Sequence, residues 1–278
     1  MTRYGLDYVS LTPQEAKAQG ASFVCRYLSP DTAKNLSHSE AEELKSLGID
    51  VVVVFESTAR RSLDGSGAGQ ADATMALTQA IECGMVGARP IYFAIDFDAS
   101  PDPNGVNDYF DGVKEVLGLG RTGAYGGSTA ISHLFDTTRI SWGWQTYAWS
   151  GGAWDPRAHL RQYLNGAQYD HDLSTAADFG QWQPGVGPPH PIAPHQYAAL
   201  LPKERVAVDK YLELKDTHPH WHPHQLEAAE KAVAYLRMNV WTCAEKGHTL
   251  TGQKVTPGWK VLDRKERYEI LKSVVPYE

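Results

Sequence analysis

The chain has 278 residues and a net charge of −7 at pH 7, and 42% of its residues are hydrophobic while 21% are charged. This composition is that of a globular protein, and the length allows one large domain with an appendage or two ordinary domains. The acidic balance excludes a basic surface for nucleic acid, and the sequence contains no apolar run of the length that crosses a membrane.

The cysteines and the first residues bear on the cellular location. Cys25, Cys83 and Cys243 are odd in number and lie far apart in apolar segments, which is typical of buried thiols and not of disulfides or a zinc site. The opening segment has no basic region followed by an apolar signal core. We therefore expect no cleaved signal peptide and synthesis in the cytoplasm, and no motif in the chain predicts a cofactor.

Strand and helix patterns alternate through the N-terminal part of the chain. Apolar and β-branched runs predict eight strands, at residues 4–9, 22–28, 50–56, 90–98, 122–127, 140–149, 159–164 and from residue 171. Helix-capping residues mark the first two helices. Thr12 is the expected N-cap of the first, Ser37 is the expected N-cap of the second, and Gly48 ends the second. The connections late in the series leave little room for helices.

This pattern predicts an α/β fold, a (β/α)8 TIM-like barrel at residues 1–183 whose late helices are shortened. From residue 184 the composition changes. Residues 184–201 are rich in proline and glycine, which predicts a linker, and residues 202–278 have the apolar periodicity of a small α-helical module. The apolar faces near residues 226–241 exceed what three short helices bury among themselves, so we expect the module to dock on a protein partner.

The fourth predicted strand ends in two carboxylates. It enters through Pro90, continues as an apolar run, and carries Asp96 and Asp98. Because side chains alternate along a strand, these two carboxylates are expected to share a face, where mutual repulsion raises the pKa of one of them. A carboxyl group of that kind can act as a general acid near neutral pH. The alternative is that the aspartates cap the next helix or hold a turn.

Polar residues also follow the other predicted strands. In a (β/α)8 barrel the carboxyl ends of the strands meet at one mouth, and carboxylates next to aromatic rings are typical of a sugar-binding cleft. Glu56 could complete a cation site with the aspartates of the fourth strand, but we expect it to pair with Arg26. The candidate site residues are Asp7, Arg26, Glu56, Asp96, Asp98, Tyr125, Trp144, Tyr147, Gln162 and Asp172.

Six segments carry a family resemblance. In this order and spacing, GLDYVS, FVCRYL, YFAIDFD, GAYGG, RQYL and HDLSTAADFG resemble the glycoside-hydrolase-like barrel domain that is related to the family 25 lysozymes, over residues 3–182. The resemblance implies a barrel that acts on polysaccharide of the bacterial cell wall. It implies catalytic roles for Asp98, Asp96, Asp7 and Asp172, and substrate contacts from Tyr125, Tyr147, Gln162, Arg26, Glu56 and Trp144.

One position departs from the family pattern. The lysozymes carry Asp-x-Glu at the end of the fourth strand, with the glutamate as proton donor, whereas this chain carries Asp98 there. Asp98 remains the expected donor, but its side chain is one methylene shorter, which reduces its reach toward the leaving oxygen. Two hypotheses stay open: a lysozyme-like hydrolase, and a barrel that binds glycan without cleaving it.

The resemblance also implies the kind of assembly in which the protein acts, because lysozyme-like barrels are common in phage proteins. We expect a component of a phage tail or similar particle, located in the virion or outside the cell after release, with a free endolysin as the alternative. The alternating histidines between residues 218 and 224 could bind a transition metal, but the prolines among them favour a solvated loop. No metal site is therefore predicted.

Overall fold

The computed structural model describes residues 2–86, 88–99 and 104–185, within the first of the two units into which the chain divides, Met1–Val186 and Gly187–Glu278. The predictions for the linker beyond residue 185, for the helical module at 202–278 and for the histidines between residues 218 and 224 lie outside the described residues. So does Cys243, whereas Cys25 and Cys83 are buried free thiols. In the described part of the chain, no helix has the length and apolarity to cross a membrane.

The described residues form a closed barrel of eight strands, in which each strand pairs with its neighbours in chain order. The strands are β1 Tyr4–Tyr8, β2 Phe23–Leu28, β3 Asp50–Phe55, β4 Ile91–Ala94, β5 Thr122–Gly126, β6 Trp142–Thr146, β7 Leu160–Leu164 and β8 Tyr169–Ser174. The four consecutive valines of β3 are all buried, as expected for a strand between the barrel interior and an outer layer of helices. The predicted barrel is thus confirmed.

The eighth strand differs in direction from the expected arrangement. Strands β1 to β7 are parallel, but β8 is antiparallel to both β7 and β1. Only residues 165–168 connect β7 to β8, whereas a parallel crossover needs about a dozen residues or more. The chain therefore reverses in a hairpin, and the start of β8, not its end, lies at the mouth formed by the ends of the other strands.

Helices cover the first part of the barrel more completely than the last. The helices are α1 Pro13–Ala18, α2 His38–Ser46, α3 Gly65–Glu82, α4 Asn104–Leu117 and α5 Ser128–Asp136. Thr12 caps α1 through a capping box with Glu15, and Ser37 caps α2 by accepting the backbone N–H of Glu40. Within the described residues no helix lies between β6 and β7 or between β7 and β8, which confirms the reduction of the late helices.

The segment after β8 closes the bottom of the barrel, where the parallel strands begin. Phe179 is fully buried there, its ring lies 4.7 Å from that of Phe23, and its carbonyl oxygen accepts a hydrogen bond from the Tyr92 hydroxyl. Trp182 then exchanges two backbone hydrogen bonds with Val51 near the start of β3. Apolar side chains therefore fill the barrel interior at this end.

Helices α3 and α4 approach each other closely at two glycines. A Cβ atom at Gly69 would lie 2.0 Å from the carbonyl oxygen of Tyr109, and one at Gly112 would lie 2.1 Å from that of Ser66. The missing side chains allow this contact between the two backbones. Because α3 also packs on β2 and β3, the contact fixes the outer layer behind the strands that lead into the mouth of the barrel.

We expect Gly69→Ala to destabilise the protein by about 2 kcal/mol or more, because the added methyl group forces the two helices apart. The matched control is Gly67→Ala in the same helix, where an added Cβ has no neighbour within 4 Å. The control should leave stability unchanged or raise it by up to about 1 kcal/mol, since alanine is a better helix former than glycine. Urea denaturation measures both effects, and equal stabilities of the two variants would contradict the close helix contact.

Candidate active site

A cavity of about 340 Å³ lies at the end of the barrel where the parallel strands terminate. Its size is in the lower part of the range of ligand pockets, about 300–1,000 Å³. Four carboxyl groups and four aromatic side chains contribute to its wall. The lining residues are Asp7, Tyr27, Val54, Glu56, Asp96, Tyr125, Trp144, Ala148, Trp149, Asn165 and Asp170.

The candidates from the sequence fall into three groups. Those that line the cavity are Asp7, Glu56, Asp96, Tyr125 and Trp144. Two more, Gln162 and Asp172, are buried polar residues of β7 and β8 beneath it. The remaining three, Asp98, Tyr147 and Arg26, are not among the residues that line it.

The two aspartates after β4 do not share a face of a strand. β4 ends at Ala94, so both aspartates lie in the loop that follows, and strand alternation does not apply to them. Asp96 is half-buried in the cavity wall, whereas Asp98 is exposed outside it. The carboxylate that interacts with Asp96 is Glu56, which follows β3. The expected pairing of Asp96 with Asp98 is therefore wrong.

Arg26 points away from the cavity. Its guanidinium donates to both carboxylate oxygens of Glu40 in α2, at 2.6 and 3.2 Å. Glu56 instead accepts a hydrogen bond of 2.9 Å from the Lys34 ammonium group. The expected pair of Arg26 and Glu56 is wrong because side chains alternate along β2: Arg26 faces the outer helices while its neighbour Tyr27 faces the barrel interior.

The aromatic residues of β6 and its following loop have different environments. Trp144 is 1% exposed, and its indole N–H donates to the Asp172 carboxylate at 2.8 Å. Tyr147, the first residue after β6, is 47% exposed and lies outside the cavity lining. Trp149 is 39% exposed and does line the cavity. The exposed ring that this segment contributes to the cavity is thus that of Trp149.

The side-chain amide of Gln162 joins the residues of the cavity floor. Its Nε2 donates to Asp7 Oδ2 and to Asp170 Oδ2, both at 3.2 Å. Its Oε1 accepts hydrogen bonds from the hydroxyl groups of Tyr125, at 2.8 Å, and Thr146, at 2.7 Å. Both donors and both acceptor sites of this buried amide are used, so Gln162 positions two carboxyl groups and has no capacity left for a ligand.

Asp172 lies below this floor and is fully buried. Its Oδ2 has no hydrogen-bond partner among the described residues, and the same is true of Asp7 Oδ1. Burial raises the pKa of Asp172 well above its ordinary value, the Asp7 carboxylate acts in the same direction, and the Trp144 N–H opposes both. Neighbouring buried carboxyl groups with unpaired oxygens favour their neutral forms, because an uncompensated buried charge is costly.

Burial also raises the pKa of Asp7, to about 7. The polar Tyr27 hydroxyl beside it opposes this change, while the carboxylates of Asp170 and Glu56 add to it. Burial likewise raises the pKa of Asp170, although the Gly166 backbone N–H, which donates to its Oδ1 at 3.0 Å, opposes the effect. The floor of the cavity can therefore hold protons near neutral pH.

Asp96 and Glu56 form the side wall of the cavity. Burial and the Glu56 carboxylate raise the pKa of Asp96 above its ordinary value, and the Lys34 ammonium group opposes them. Glu56 itself is held in an ion pair with Lys34. Two carboxyl groups in different environments provide the separate acid and base roles of many hydrolases. Among the described residues, no group of three or more His, Cys, Asp or Glu side chains could hold a metal ion.

Two residues of the cavity are not among the candidates from the sequence. Tyr27 lies two residues after Cys25 on β2, and Cys25 packs in the barrel core. Because side chains alternate along a strand, Tyr27 faces the barrel interior as well, so the strand pattern could have identified it as a cavity residue. Asp170 lies opposite Asp7 in the register of β1 with β8. Its position at the mouth depends on the reversed direction of β8, which the short link after β7 indicates.

We expect the stability of the protein to fall as the pH rises from about 4 to about 7, because folded Asp7 keeps a proton that the unfolded chain releases near pH 4. Asp7→Asn should remove this contribution and raise the free energy of unfolding at pH 8 by up to about 4 kcal/mol, since each pKa unit corresponds to about 1.4 kcal/mol. The gain should be smaller at pH 5. Urea denaturation at both pH values measures the difference.

The control for this experiment is Asp98→Asn, which removes an exposed carboxylate outside the cavity. It should leave the pH dependence of stability as it is in the wild type. If the free energy of unfolding depends on pH in the same way in the wild type and in Asp7→Asn, Asp7 does not have a raised pKa and the prediction is wrong.

The sequence profile of the family described as "Rv2525c-like, glycoside hydrolase-like domain" matches residues 14–179. A protein of Mycobacterium tuberculosis, named "Putative peptidoglycan hydrolase Rv2525c", is 28% identical over 199 residues, which cover 64% of this chain and 82% of the relative. The crystal structure of the Tat-secreted protein Rv2525c of Mycobacterium tuberculosis with L-tartrate is 26% identical, with a TM-score of 0.61, and the match covers 65% of this chain and 98% of that one. The structure of the same protein with HEPES has a TM-score of 0.61 at 25% identity and the same coverage.

The family match spans more than half of the chain. It extends from α1 to the Phe179 segment that closes the barrel, and it contains every residue of the cavity except Asp7. The similarity to the Mycobacterium tuberculosis protein holds in both sequence and fold. The chain therefore belongs to the Rv2525c-like family of glycoside hydrolase-like domains.

Proposed function

We propose that the barrel binds glycan of the bacterial cell wall in its cavity and hydrolyses a glycosidic bond there. The observation that carries the proposal is the meeting of four carboxyl groups and four aromatic side chains in one cavity. Glycosidases use paired carboxyl groups, and apolar faces of sugars pack on aromatic rings. The similarity to the Mycobacterium tuberculosis protein, whose name describes a peptidoglycan hydrolase, supports the choice of a cell-wall glycan.

Asp96 is the proton donor in this proposal. A general acid must hold a proton near neutral pH and come within hydrogen-bond distance of the leaving oxygen. Burial and the Glu56 carboxylate raise the pKa of Asp96, which is the direction that a proton donor needs, and its half-buried place in the cavity wall supports the second requirement. Asp98, the donor expected from the lysozyme pattern, is exposed outside the cavity lining and fits less well.

Glu56 is the carboxylate partner of Asp96. In glycoside hydrolysis a second carboxylate stabilises the positive charge that develops on the sugar ring or activates the attacking water. Glu56 lines the cavity, and its ion pair with Lys34 fixes the position of its carboxylate. Asp7 and Asp170 form the floor of the cavity beneath the place proposed for the sugar, and the Gln162 amide holds both of them in position.

We infer that the barrel acts outside the cytoplasm. The Mycobacterium tuberculosis protein is described as Tat-secreted, which supports action outside the cytoplasm for this chain also. The more specific hypothesis of a phage tail or similar particle, with the C-terminal helices bound to a protein partner, depends on residues beyond 185 and stays a prediction from the sequence. A free endolysin remains its alternative.

Release of sugar from purified bacterial cell walls tests the catalytic assignment. We expect Asp96→Asn to lower the rate by about 100-fold or more, because general acid catalysis contributes roughly 10²–10⁴-fold. The matched control is Asp98→Asn, the same substitution in the same loop but outside the cavity, and it should retain activity within a few-fold. A loss confined to Asp98→Asn would return the donor role to Asp98.

Glycan binding without hydrolysis is the second candidate function, and one observation favours it. The lysozyme pattern has its donor glutamate at the position of Asp98, and here that side chain is both shorter and outside the cavity. Saturable binding of cell walls by a wild-type protein that releases no sugar would favour this candidate over hydrolysis. Pull-down with insoluble walls, run beside the sugar-release assay, distinguishes the two.

A further inference from the structure

We propose that Trp149 is a fixed aromatic platform at the mouth of the cavity, on which the face of one sugar ring of the bound glycan stacks. The inference rests on the proposed function, because it names how the glycan is held. Its evidence is independent of the carboxyl groups and comes from the backbone of the loop between β6 and β7.

Trp149 has a backbone conformation that tryptophan rarely adopts. Its φ angle is +55°, in the left-handed region. It is the third residue of a turn in which the Ser150 N–H donates to the carbonyl oxygen of Tyr147 at 3.3 Å. Glycine is the usual residue at such a position, because a Cβ atom crowds the backbone there. Backbone strain of this kind concentrates at functional sites.

Hydrogen bonds of residues on both sides of Trp149 hold the loop in this conformation. Ser150 Oγ accepts the backbone N–H of Ser128, the first residue of α5, at 2.9 Å. Gln145, which is 1% exposed, donates through Nε2 to the carbonyl oxygen of Ala153 at 2.8 Å. The backbone of Trp149 therefore cannot relax to an ordinary φ angle without breaking contacts in the packed interior.

The junction between β5 and α5 leaves space for this loop. A Cβ atom at Gly127 would lie 3.1 Å from the Cβ atom of Trp149 and 3.1 Å from its carbonyl oxygen. A side chain at Gly127 would therefore press on the Trp149 backbone. The glycine at this junction allows the close approach, and the positions of the Trp149 backbone and Cβ atom are set by β6, by the loop and by the start of α5 together.

Trp149 lies at the cavity and is not part of the packed core. Trp149 is 39% exposed and lines the cavity together with the carboxyl groups. A large apolar ring in a rigid loop matches the apolar face of a pyranose, and a preordered loop loses little conformational entropy when the sugar binds. The surrounding structure therefore maintains a strained backbone that presents an aromatic surface to the ligand.

Three substitutions separate ligand binding from packing. Trp149→Ala and Trp149→Gly remove the ring, and Trp149→Phe keeps an aromatic face. Because glycine relieves the strained φ angle, Trp149→Gly should unfold at the same temperature as Trp149→Ala or at a higher one. The matched control is Tyr147→Ala, which removes an exposed ring of the same loop that lies outside the cavity lining.

Calorimetric titration of the full chain with a soluble cell-wall glycan tetrasaccharide measures the binding, and every protein compared, the wild type included, carries Asp96→Asn so that the glycan is not cleaved during the titration. We expect Trp149→Ala and Trp149→Gly to bind about tenfold or more weakly, the effect of removing one large apolar contact. Trp149→Phe should stay within about threefold of the wild type, because it retains a ring face. Tyr147→Ala should bind as the wild type does.

The failures of the two proposals can be told apart. Wild-type affinity in Trp149→Gly would overturn the platform and leave the proposed function intact. A folded wild-type protein that binds no glycan would refute the proposed function, and the platform with it. If Trp149 is such a platform, removing its ring should raise KM in the hydrolysis assay more than it lowers kcat. A variant in which kcat falls more than KM rises would also refute the platform.

Discussion

The side-chain amide of Gln162 is the contact on which the site depends. Asp7 and Asp170 lie opposite each other across the β1 and β8 pair, and an amide with two N–H groups bonds to both of them. A cation at this place would have lowered their pKa values, whereas a neutral donor holds the carboxyl groups together and lets burial raise those pKa values. The amide oxygen is held in turn by Tyr125 and Thr146, so the floor of the cavity is fixed from below.

The reversed eighth strand and the closed bottom of the barrel make this floor. Because β8 runs against its neighbours, it brings Asp170 to the mouth and leaves Asp172 fully buried beneath. Phe179 packs against the lower ends of the strands, which removes water from that side of the carboxyl groups. The absence of a helix between β6 and β7, within the part of the chain that the structure describes, leaves a loop free to carry Trp149 to the cavity.

The barrel is predictable from the sequence because its local signals agree, from the β-branched third strand to the caps at Thr12 and Ser37. The site is only partly predictable. The predicted strand ends correctly identify Asp7, Glu56 and Asp96 as residues of the cavity. Whether a residue just beyond a strand faces the cavity depends on where the strand ends. β4 ends at Ala94, before both aspartates, and Asp98 therefore lies outside the cavity lining. The direction of β8 depends on the length of one short link. The φ angle of Trp149 has no signal in the sequence, because the two glycines that follow Ser150 are the expected turn residues.

The central claim is that the cavity floor holds a carboxyl group that keeps its proton near neutral pH. The most direct test is an NMR titration of the Asp7 side-chain carboxyl carbon in the full chain, with Asp7→Asn used to assign the resonance. We predict a titration midpoint near pH 7. A midpoint near pH 4, the ordinary value for an aspartate, would contradict the claim.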